Sequence, residues 1–327
     1  MKRNTNVFLA IENDQEFEDL ALDTFHHQYT HNTVYRSYCD LLNVAPAEVI
    51  CFKDIPYLPI RFFKTHDIKA FDGPAKQIFT SSGTTSNVRA CHHLKDILTY
   101  QKSFETTFNH FYGTPKNWAI LALLPSYLER EGSSLVYMMR HLIEQSEHRE
   151  SGFYLNELEQ LSTTLKALEK KQQPTLLLGV SFALLDFSEK YPLTLQSTTV
   201  METGGMKGKR KELTREELHR TLKKRFGVNA IHSEYGMTEL LSQAYAIENG
   251  RFYTPMWMRV TPYEINDPFS KAENGKIGRL NIVDLANQDS CAFIATDDLG
   301  KQHPDGSFEV VGRLDASDVR GCNLLVY

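Results

Sequence analysis

The segment IFTSSGTTS at residues 78–86 changes from apolar side chains to a run of hydroxyl side chains around one glycine. This pattern is typical of a strand that ends in a loop of hydrogen-bond donors. Gly83 permits backbone conformations that are closed to other residues, so successive N–H groups can face one concavity, where Ser and Thr hydroxyls add donors. The segment therefore predicts an anion-binding loop that holds phosphate, and an ordinary polar turn is the alternative.

The residues on either side of this loop predict an α/β protein. Apolar residues at helical spacing predict a helical cap over residues 1–70. Over residues 71–250, apolar strands at 118–124, 175–180, 198–201 and 228–231 alternate with helical segments, which is typical of a mostly parallel sheet flanked by helices. Strands and turns over residues 251–327 predict a small β-rich subdomain with a C-terminal tail. We expect residues 1–327 to form a single domain.

Composition and charge limit the classes of protein. The 327 residues, 41% of them hydrophobic, are enough for a large core, and no apolar run is long enough to span a membrane. We therefore expect a soluble, cytoplasmic protein without a membrane span. The net charge is −5, and the basic cluster at residues 207–211 is followed at once by acidic residues, which argues against nucleic-acid binding. The five cysteines show no C-x-x-C spacing, which argues against a disulfide framework or a zinc site.

Three further segments place polar side chains after predicted strands. SEYGMTE at residues 233–239 lies where ligands of open α/β sheets bind, and the Glu239 carboxylate would suit a metal ion. A helix that begins at Thr238 is the alternative interpretation. TDDLG at residues 296–300 offers carboxylates to the hydroxyls of a sugar, or forms an Asp-Gly type of turn. GRLD at residues 312–315 would supply a cation for ribose or phosphate.

These four segments, in this order, resemble the motif series of the adenylate-forming superfamily. The resemblance implies the large α/β domain of that superfamily and a reaction with ATP and Mg²⁺. It assigns the ATP phosphates to Thr80, Ser81, Ser82, Gly83, Thr84, Thr85 and Ser86. In the same way it assigns adenine to Tyr235 and Gly236, a phosphate or carboxylate to Thr238, Mg²⁺ to Glu239, and the ribose to Asp298 and Arg313.

Further segments narrow the resemblance: IPYLP at residues 55–59, FFK at 62–64 and RGCNL at 320–324. Together with the hydroxyl loop, they resemble the acyl-protein synthetases of bacterial bioluminescence operons, and more distantly the phenylacetate–CoA ligases. The first family implies that a fatty acid is activated as an acyl-adenylate and moved to a near-terminal cysteine, here Cys322. An incidental cysteine near the end of the sequence is the alternative.

The resemblance also carries an expectation about the catalytic lysine. Most members of the superfamily continue beyond the Gly-Arg motif into a mobile lid domain that carries this lysine, whereas the acyl-protein synthetases share a shortened form. We therefore expect the large domain without the lid. Lys207, Lys209 or Arg210 would then supply the positive charge, or adenylation would be slower, or a partner chain would close the site.

Several functions remain open from the sequence alone. The first is activation of a carboxylic acid with transfer to Cys322, or to the thiol of coenzyme A, a carrier protein or an acyl reductase. The others are an acyl-CoA ligase and a catalytically reduced subunit that binds adenylate and acts as a scaffold. Lone histidines such as His92 and His232 are more often structural than catalytic. Residues 124–134, with Met138 and Met139, line an acyl pocket or pack in the core.

Overall fold

The computed structural model describes residues 6–81, 88–125, 132–204 and 213–314. The helices are α1 (Asp14–His31), α2 (Thr33–Leu41), α3 (Phe62–Thr65), α4 (Ile97–Tyr112), α5 (Ser134–Ser146), α6 (Leu158–Lys170), α7 (Ser181–Lys190) and α8 (Arg215–Phe226). The strands are β1 (Leu58–Pro59), β2 (Gln77–Thr80), β3 (Cys91–Leu94), β4 (Ala119–Leu123), β5 (Gly152–Phe153), β6 (Thr175–Val180), β7 (Thr198–Thr203), β8 (His232–Tyr235), β9 (Ala244–Ala246), β10 (Met258–Tyr263), β11 (Gly278–Asp284), β12 (Phe293–Gln302) and β13 (Phe308–Arg313). Short 3₁₀ turns lie at Val7–Ala10, Pro46–Glu48, Phe52–Asp54 and Pro115–Asn117. Within these described ranges, no helix combines the length and the apolar character needed to cross a bilayer.

The central sheet has six strands in the order β5-β4-β6-β7-β8-β9. Its first five strands run parallel, and β9 is antiparallel to β8. Every residue of β4 and β6 is buried, as expected for apolar strands with helices on both faces of a parallel sheet. The predicted α/β class with a mostly parallel sheet is therefore confirmed.

A second sheet contains the order β1-β12-β11-β10, with β13 paired to the other part of β12. Its long strands are antiparallel, whereas β1 from the first part of the chain pairs in parallel with β12. The helices before β1 pack on this sheet, since the Tyr35 ring stacks on Phe293 at 6.2 Å between centroids. The buried Gln28 and Asn32 side chains donate to the backbone carbonyls of Asn287 and Ser290.

A small hairpin carries the first part of the hydroxyl loop. β2 is antiparallel to β3, with Thr80 opposite Cys91, so the chain folds back before it enters α4. The sequence predicts β2 and α4, but residues 91–94 are too short an alternation of polar and apolar side chains to indicate β3. Thr80 and Ser81 thus lie at the end of a hairpin strand and not directly before a helix.

The structure corrects three local interpretations. The strand expected at residues 228–231 begins later, at His232, because Gly227 ends α8 with φ +64° and the next residues form the connection. No helix begins at Thr238, since residues 236–243 form the loop between β8 and β9. The segment at 296–300 lies within β12 and is not a turn. Its pairing register with β13 shifts between Leu299 and Gly300, where a Cβ at Gly300 would lie 2.0 Å from the Glu309 carbonyl oxygen.

Candidate active site

Three predicted site residues meet at the junction of the two sheets. Tyr235 ends β8, while Asp298 in β12 is directly opposite Arg313 in β13. The Tyr235 hydroxyl donates to Asp298 Oδ2 at 2.8 Å, and Arg313 Nε lies 3.7 Å from Asp298 Oδ1. The Tyr235 ring packs against Phe252 and Phe308, with centroid distances of 5.7 and 5.4 Å. Tertiary structure therefore joins three motifs that are separate in the sequence.

Burial dominates the electrostatics of this junction. It raises the pKa of Asp298, while the Arg313 charge and the Tyr235 hydrogen bond act in the opposite direction. Burial, followed by the Asp298 charge, raises the pKa of Tyr235 well above its usual range, so the phenol stays a neutral donor. The Arg313 side chain is 65% exposed, whereas that of Asp298 is 16% exposed. The junction thus presents the Asp298 carboxylate, held by the Tyr235 hydroxyl, as a hydrogen-bond acceptor, and the Arg313 guanidinium as a cation at the surface.

The Glu239 carboxyl is buried beside the same junction, with only 7% of the residue exposed. Burial raises its pKa to about 7; Arg313 and Lys64 oppose that shift, whereas Asp298 adds to it. Among the residues that the structure describes, no group of three His, Cys, Asp or Glu side chains could hold a metal ion. Mg²⁺ in nucleotide sites commonly uses one or two carboxylates together with substrate phosphates, so a single glutamate at this position fits that ion.

Two side chains hold the backbone of Thr238 and Glu239: Asn287, which the sequence did not indicate, and His92, for which it favoured a structural role. Asn287 Nδ2 donates to the Glu239 carbonyl oxygen at 2.8 Å, and His92 Nδ1 lies 2.8 Å from the Thr238 carbonyl oxygen. His92 Nε2 lies 3.0 Å from Asn287 Oδ1, so the two anchors also contact each other. Burial lowers the pKa of His92 to about 4, and a neutral ring donates to one of these two acceptors.

A buried aspartate anchors the other half of the same loop. Asp284 accepts a hydrogen bond from Leu241 N at 2.8 Å and another from the Ser242 hydroxyl at 2.6 Å. The Trp257 indole nitrogen donates to the Ser242 hydroxyl oxygen at 2.8 Å. The loop that carries Thr238 and Glu239 is therefore held by residues of the second sheet and of the hairpin. The segment VDLANQD at 283–289 contains several polar residues, which is the one sequence signal for these anchors. Nothing in the neighbouring sequence indicates that they contact the loop after β8.

The described part of the hydroxyl loop is held at its base. Thr80 N donates to the Gly132 carbonyl oxygen at 2.8 Å, and Ser81 N donates to the Ala90 carbonyl oxygen at 3.0 Å. The Ser81 hydroxyl oxygen accepts from Ala90 N at 2.9 Å. Gly132 has φ +89°, and a Cβ there would lie 2.9 Å from Thr80 Oγ1. This close approach joins the hairpin to the residues that precede α5.

Other predicted site residues lie outside the described residues. They are Ser82, Gly83, Thr84, Thr85, Ser86, Lys207 with its alternatives Lys209 and Arg210, and Cys322. Gly236 is described and exposed, and Thr238 is half-buried, both in the loop that follows β8. The structure thus brings Tyr235, Asp298 and Arg313 together beside Glu239.

The fold is that of the large domain of adenylate-forming ligases. The structure of 2-hydroxyisobutyryl-CoA ligase with 2-HIB-AMP in the postadenylation state matches with a TM-score of 0.69, covering 92% of this chain and 68% of that one. ATP-bound MatB from Rhodopseudomonas palustris matches with a TM-score of 0.55, covering 74% of this chain. That second match spans about half of MatB, 49% of its chain. With identities of 10% and 15%, these matches concern the fold alone.

Sequence comparison points to a narrower group. The family model described as "Acyl-protein synthetase, LuxE" matches residues 7–107. The long-chain-fatty-acid–luciferin-component ligase of Aliivibrio fischeri is 23% identical over 344 aligned residues, covering 96% of this chain and 89% of the relative. The resemblance to the adenylate-forming superfamily, and within it to acyl-protein synthetases, is therefore confirmed.

Proposed function

We propose that this protein is an acyl-activating enzyme that uses ATP and Mg²⁺ to convert a carboxylic acid into an acyl-adenylate. The observation that carries the proposal is the meeting of Tyr235, Asp298 and Arg313 beside the Glu239 carboxyl. This arrangement offers an acceptor for ribose hydroxyls, a surface cation and a carboxylate for a metal ion. These residues belong to the segments whose order along the chain resembles the motif series of the adenylate-forming superfamily.

The proposed first step makes the acid reactive. The substrate carboxylate oxygen attacks the α-phosphorus of ATP, a new P–O bond forms, and the bond to the β-phosphate oxygen breaks so that pyrophosphate leaves. The task of the protein in such a step is alignment and neutralisation of charge. Asp298 and Arg313 would orient the ribose, and Thr80 to Ser86 would surround the phosphates. Glu239, once ionised, would hold Mg²⁺, which neutralises phosphate charge when bound.

The proposed second step moves the acyl group to a thiol. A thiolate attacks the acyl carbonyl carbon, the thioester forms and AMP leaves with the bonding electron pair. Cys322 is the acceptor that the resemblance implies, and a fatty acid is the substrate named for the Aliivibrio fischeri relative. Coenzyme A is the alternative acceptor, since the structural relative named above is an acyl-CoA ligase. A carrier protein or an acyl reductase is a further candidate partner.

The experiment measures both steps in the same preparation. The protein is incubated with ATP, Mg²⁺ and a panel of carboxylic acids, with and without coenzyme A, and ATP–pyrophosphate exchange is followed. We expect at least one acid to stimulate exchange, and mass spectrometry to find its acyl group on the Cys322 peptide. Cys322→Ser should abolish this acylation and retain exchange, while the control Cys51→Ser should retain both.

The alternatives predict different results. Acyl-CoA without acylated Cys322 would identify an acyl-CoA ligase. If no acid stimulates exchange although ATP binds, acyl activation is wrong and the scaffold interpretation gains support.

A further inference from the structure

A buried glutamate lies directly behind the loop that carries Thr238. Glu234 is 7% exposed, and among the described residues only the Thr203 hydroxyl donates a hydrogen bond to its carboxylate, at Oε2. Gly236 is exposed above it, and a Cβ at Gly236 would lie 2.6 Å from Glu234 Oε1. Because Gly236 has no side chain, the Glu234 carboxyl approaches the surface of the loop.

A second buried acceptor lies next to this carboxyl. Gln243 is 3% exposed, and its Nε2 atom is 3.4 Å from the Cβ position of Gly236. Its Nε2 donates to the Tyr100 hydroxyl oxygen at 3.4 Å, while its Oε1 atom is buried without a hydrogen-bond partner. The Tyr100 hydroxyl donates in turn to the Ser134 carbonyl oxygen. Tyr100 is therefore not a donor for Gln243 Oε1.

Gln243 Oε1 is thus a buried acceptor that receives no donor from the described residues. Glu234 Oε1, which approaches the surface at Gly236, accepts no hydrogen bond from them either. A buried acceptor without a donor is costly, so groups of this kind in a native protein call for an explanation such as a ligand. Burial raises the pKa of Glu234 to about 7, and the Glu202 charge adds to the shift. A donor brought by a ligand could bond to Glu234 Oε1 at the loop surface, and a second donor would satisfy Gln243 Oε1.

The cluster of Glu234 and Gln243 lies near the place where we expect the carbon chain of the acid to start. This inference rests on the proposed function, and it takes the phosphate or carboxylate that the resemblance assigns to Thr238 to be the carboxylate of the acid. The carbon chain would then start near Gly236, two residues before Thr238. The cluster lies behind Gly236, between the β8–β9 hairpin and α4, which carries Tyr100. A substituent on the carbon chain would therefore meet Glu234 and Gln243.

We propose that Glu234 and Gln243 select an acid whose chain carries a hydrogen-bond donor, a hydroxyl or an amino group, over the unsubstituted acid. A carboxylate and an amide oxygen accept from either donor, and the ammonium form would in addition balance the Glu234 charge. A site built to accept such a donor discriminates strongly against the analogue that lacks it, because the acceptors then stay unpaired.

The test compares matched acids in ATP–pyrophosphate exchange. Butyrate, hexanoate and octanoate are each measured against the corresponding 3-hydroxy and 3-amino acids. We expect the wild type to prefer a substituted acid by about tenfold or more in kcat/KM. Glu234→Gln should remove most of that preference and change kcat/KM for the unsubstituted acid less than about twofold. Glu105→Gln on α4, away from the cluster, is the control and should keep the preference.

A second variant and a binding assay cover the case in which Glu234→Gln does not fold. Gln243→Met should also reduce the preference, and the substituted acid should raise the thermal midpoint of the wild type more than its unsubstituted partner does. Equal exchange with substituted and unsubstituted acids in wild type and variants would overturn this inference while leaving acyl activation intact. If none of the acids stimulates exchange, the proposed function is wrong, and this inference is wrong with it.

Discussion

At the scale of single residues, two buried glutamates of the same segment have different surroundings. Burial raises the pKa of both Glu234 and Glu239 to about 7. The positive charges of Arg313 and Lys64 favour the ionised form of Glu239, and the negative charge of Asp298 opposes it. Glu234 instead faces the negative charge of Glu202. Glu239 is therefore suited to a metal ion and Glu234 to a hydrogen-bond donor.

The Glu239 pKa predicts a pH dependence of both activity and stability. The ionised form is needed for Mg²⁺, so exchange should rise as the pH increases through about 7. Stability should change in the opposite direction. The pKa of Glu239 in the folded protein is raised above its ordinary 4.5. The protonated carboxyl therefore contributes its full share of the free energy of unfolding below about pH 4.5, and this contribution is lost as the pH rises through about 7.

The variant Glu239→Gln tests the predicted direction of the change in stability with pH. The variant should lose Mg²⁺-dependent exchange, yet above pH 7 without ligands it should be more stable than the wild type by roughly 1–3 kcal/mol. Urea denaturation on both sides of this pH range measures the difference. Equal stability changes with pH in variant and wild type would contradict the assignment of this carboxyl.

At the scale of elements, the loop between β8 and β9 has no regular structure of its own. Asn287, His92 and Asp284 hold its backbone, and they belong to two other parts of the chain. The carbonyl oxygens of Thr238 and Glu239 are thus turned toward the interior. We infer that these anchors position the loop for its proposed contacts with ATP and Mg²⁺.

Asn287→Ala should destabilise the protein and reduce exchange together. It leaves the carbonyl oxygens of Glu239 and Cys291 without their Asn287 donor, which should lower the free energy of unfolding by about 1–3 kcal/mol. Gln288→Leu is the control, because it removes one hydrogen bond to Leu285 and none to the loop. A variant that loses stability and retains the wild-type KM for ATP would show that Asn287 acts on the fold alone.

At the scale of the whole molecule, Arg215 links the two sheets. The Thr214 and Glu217 capping box places Arg215 in the first turn of α8. Its Nε donates to the buried Glu202 of β7 at 3.2 Å, and its Nη1 donates to the Val310 carbonyl oxygen of β13 at 2.8 Å. Although burial opposes it, hydrogen bonding to His219 and the Arg215 charge lower the pKa of Glu202.

Arg215→Ala should weaken both the fold and the binding of ATP. It removes a partner of a buried carboxylate, which should cost about 2–4 kcal/mol of stability. Because β13 also carries Arg313, we expect the KM for ATP to rise more than kcat falls. The exposed Arg220→Ala on the same helix should change neither quantity. An unchanged KM for ATP in Arg215→Ala would contradict the proposed link between the sheets and the nucleotide site.

The sequence by itself determined the class of fold and the identity of most proposed site residues. The apolar runs of β4 and β6 predict buried parallel strands, and the motifs that contain Tyr235, Asp298 and Arg313 are recognisable from their residue types. Both signals are local, because side-chain polarity and turn preference act over a few neighbouring residues.

Tertiary structure alone decided which of these residues meet and what holds them. The Tyr235–Asp298 hydrogen bond, the pairing of β1 with β12 and the contacts of His92 and Asn287 join segments that are far apart in the chain. No local pattern encodes such a contact, since a histidine or an asparagine has the same preferences whichever carbonyl it finally meets. The burial that raises the pKa values of Glu234 and Glu239 is likewise a property of the packed sheets and not of the segment SEYGMTE.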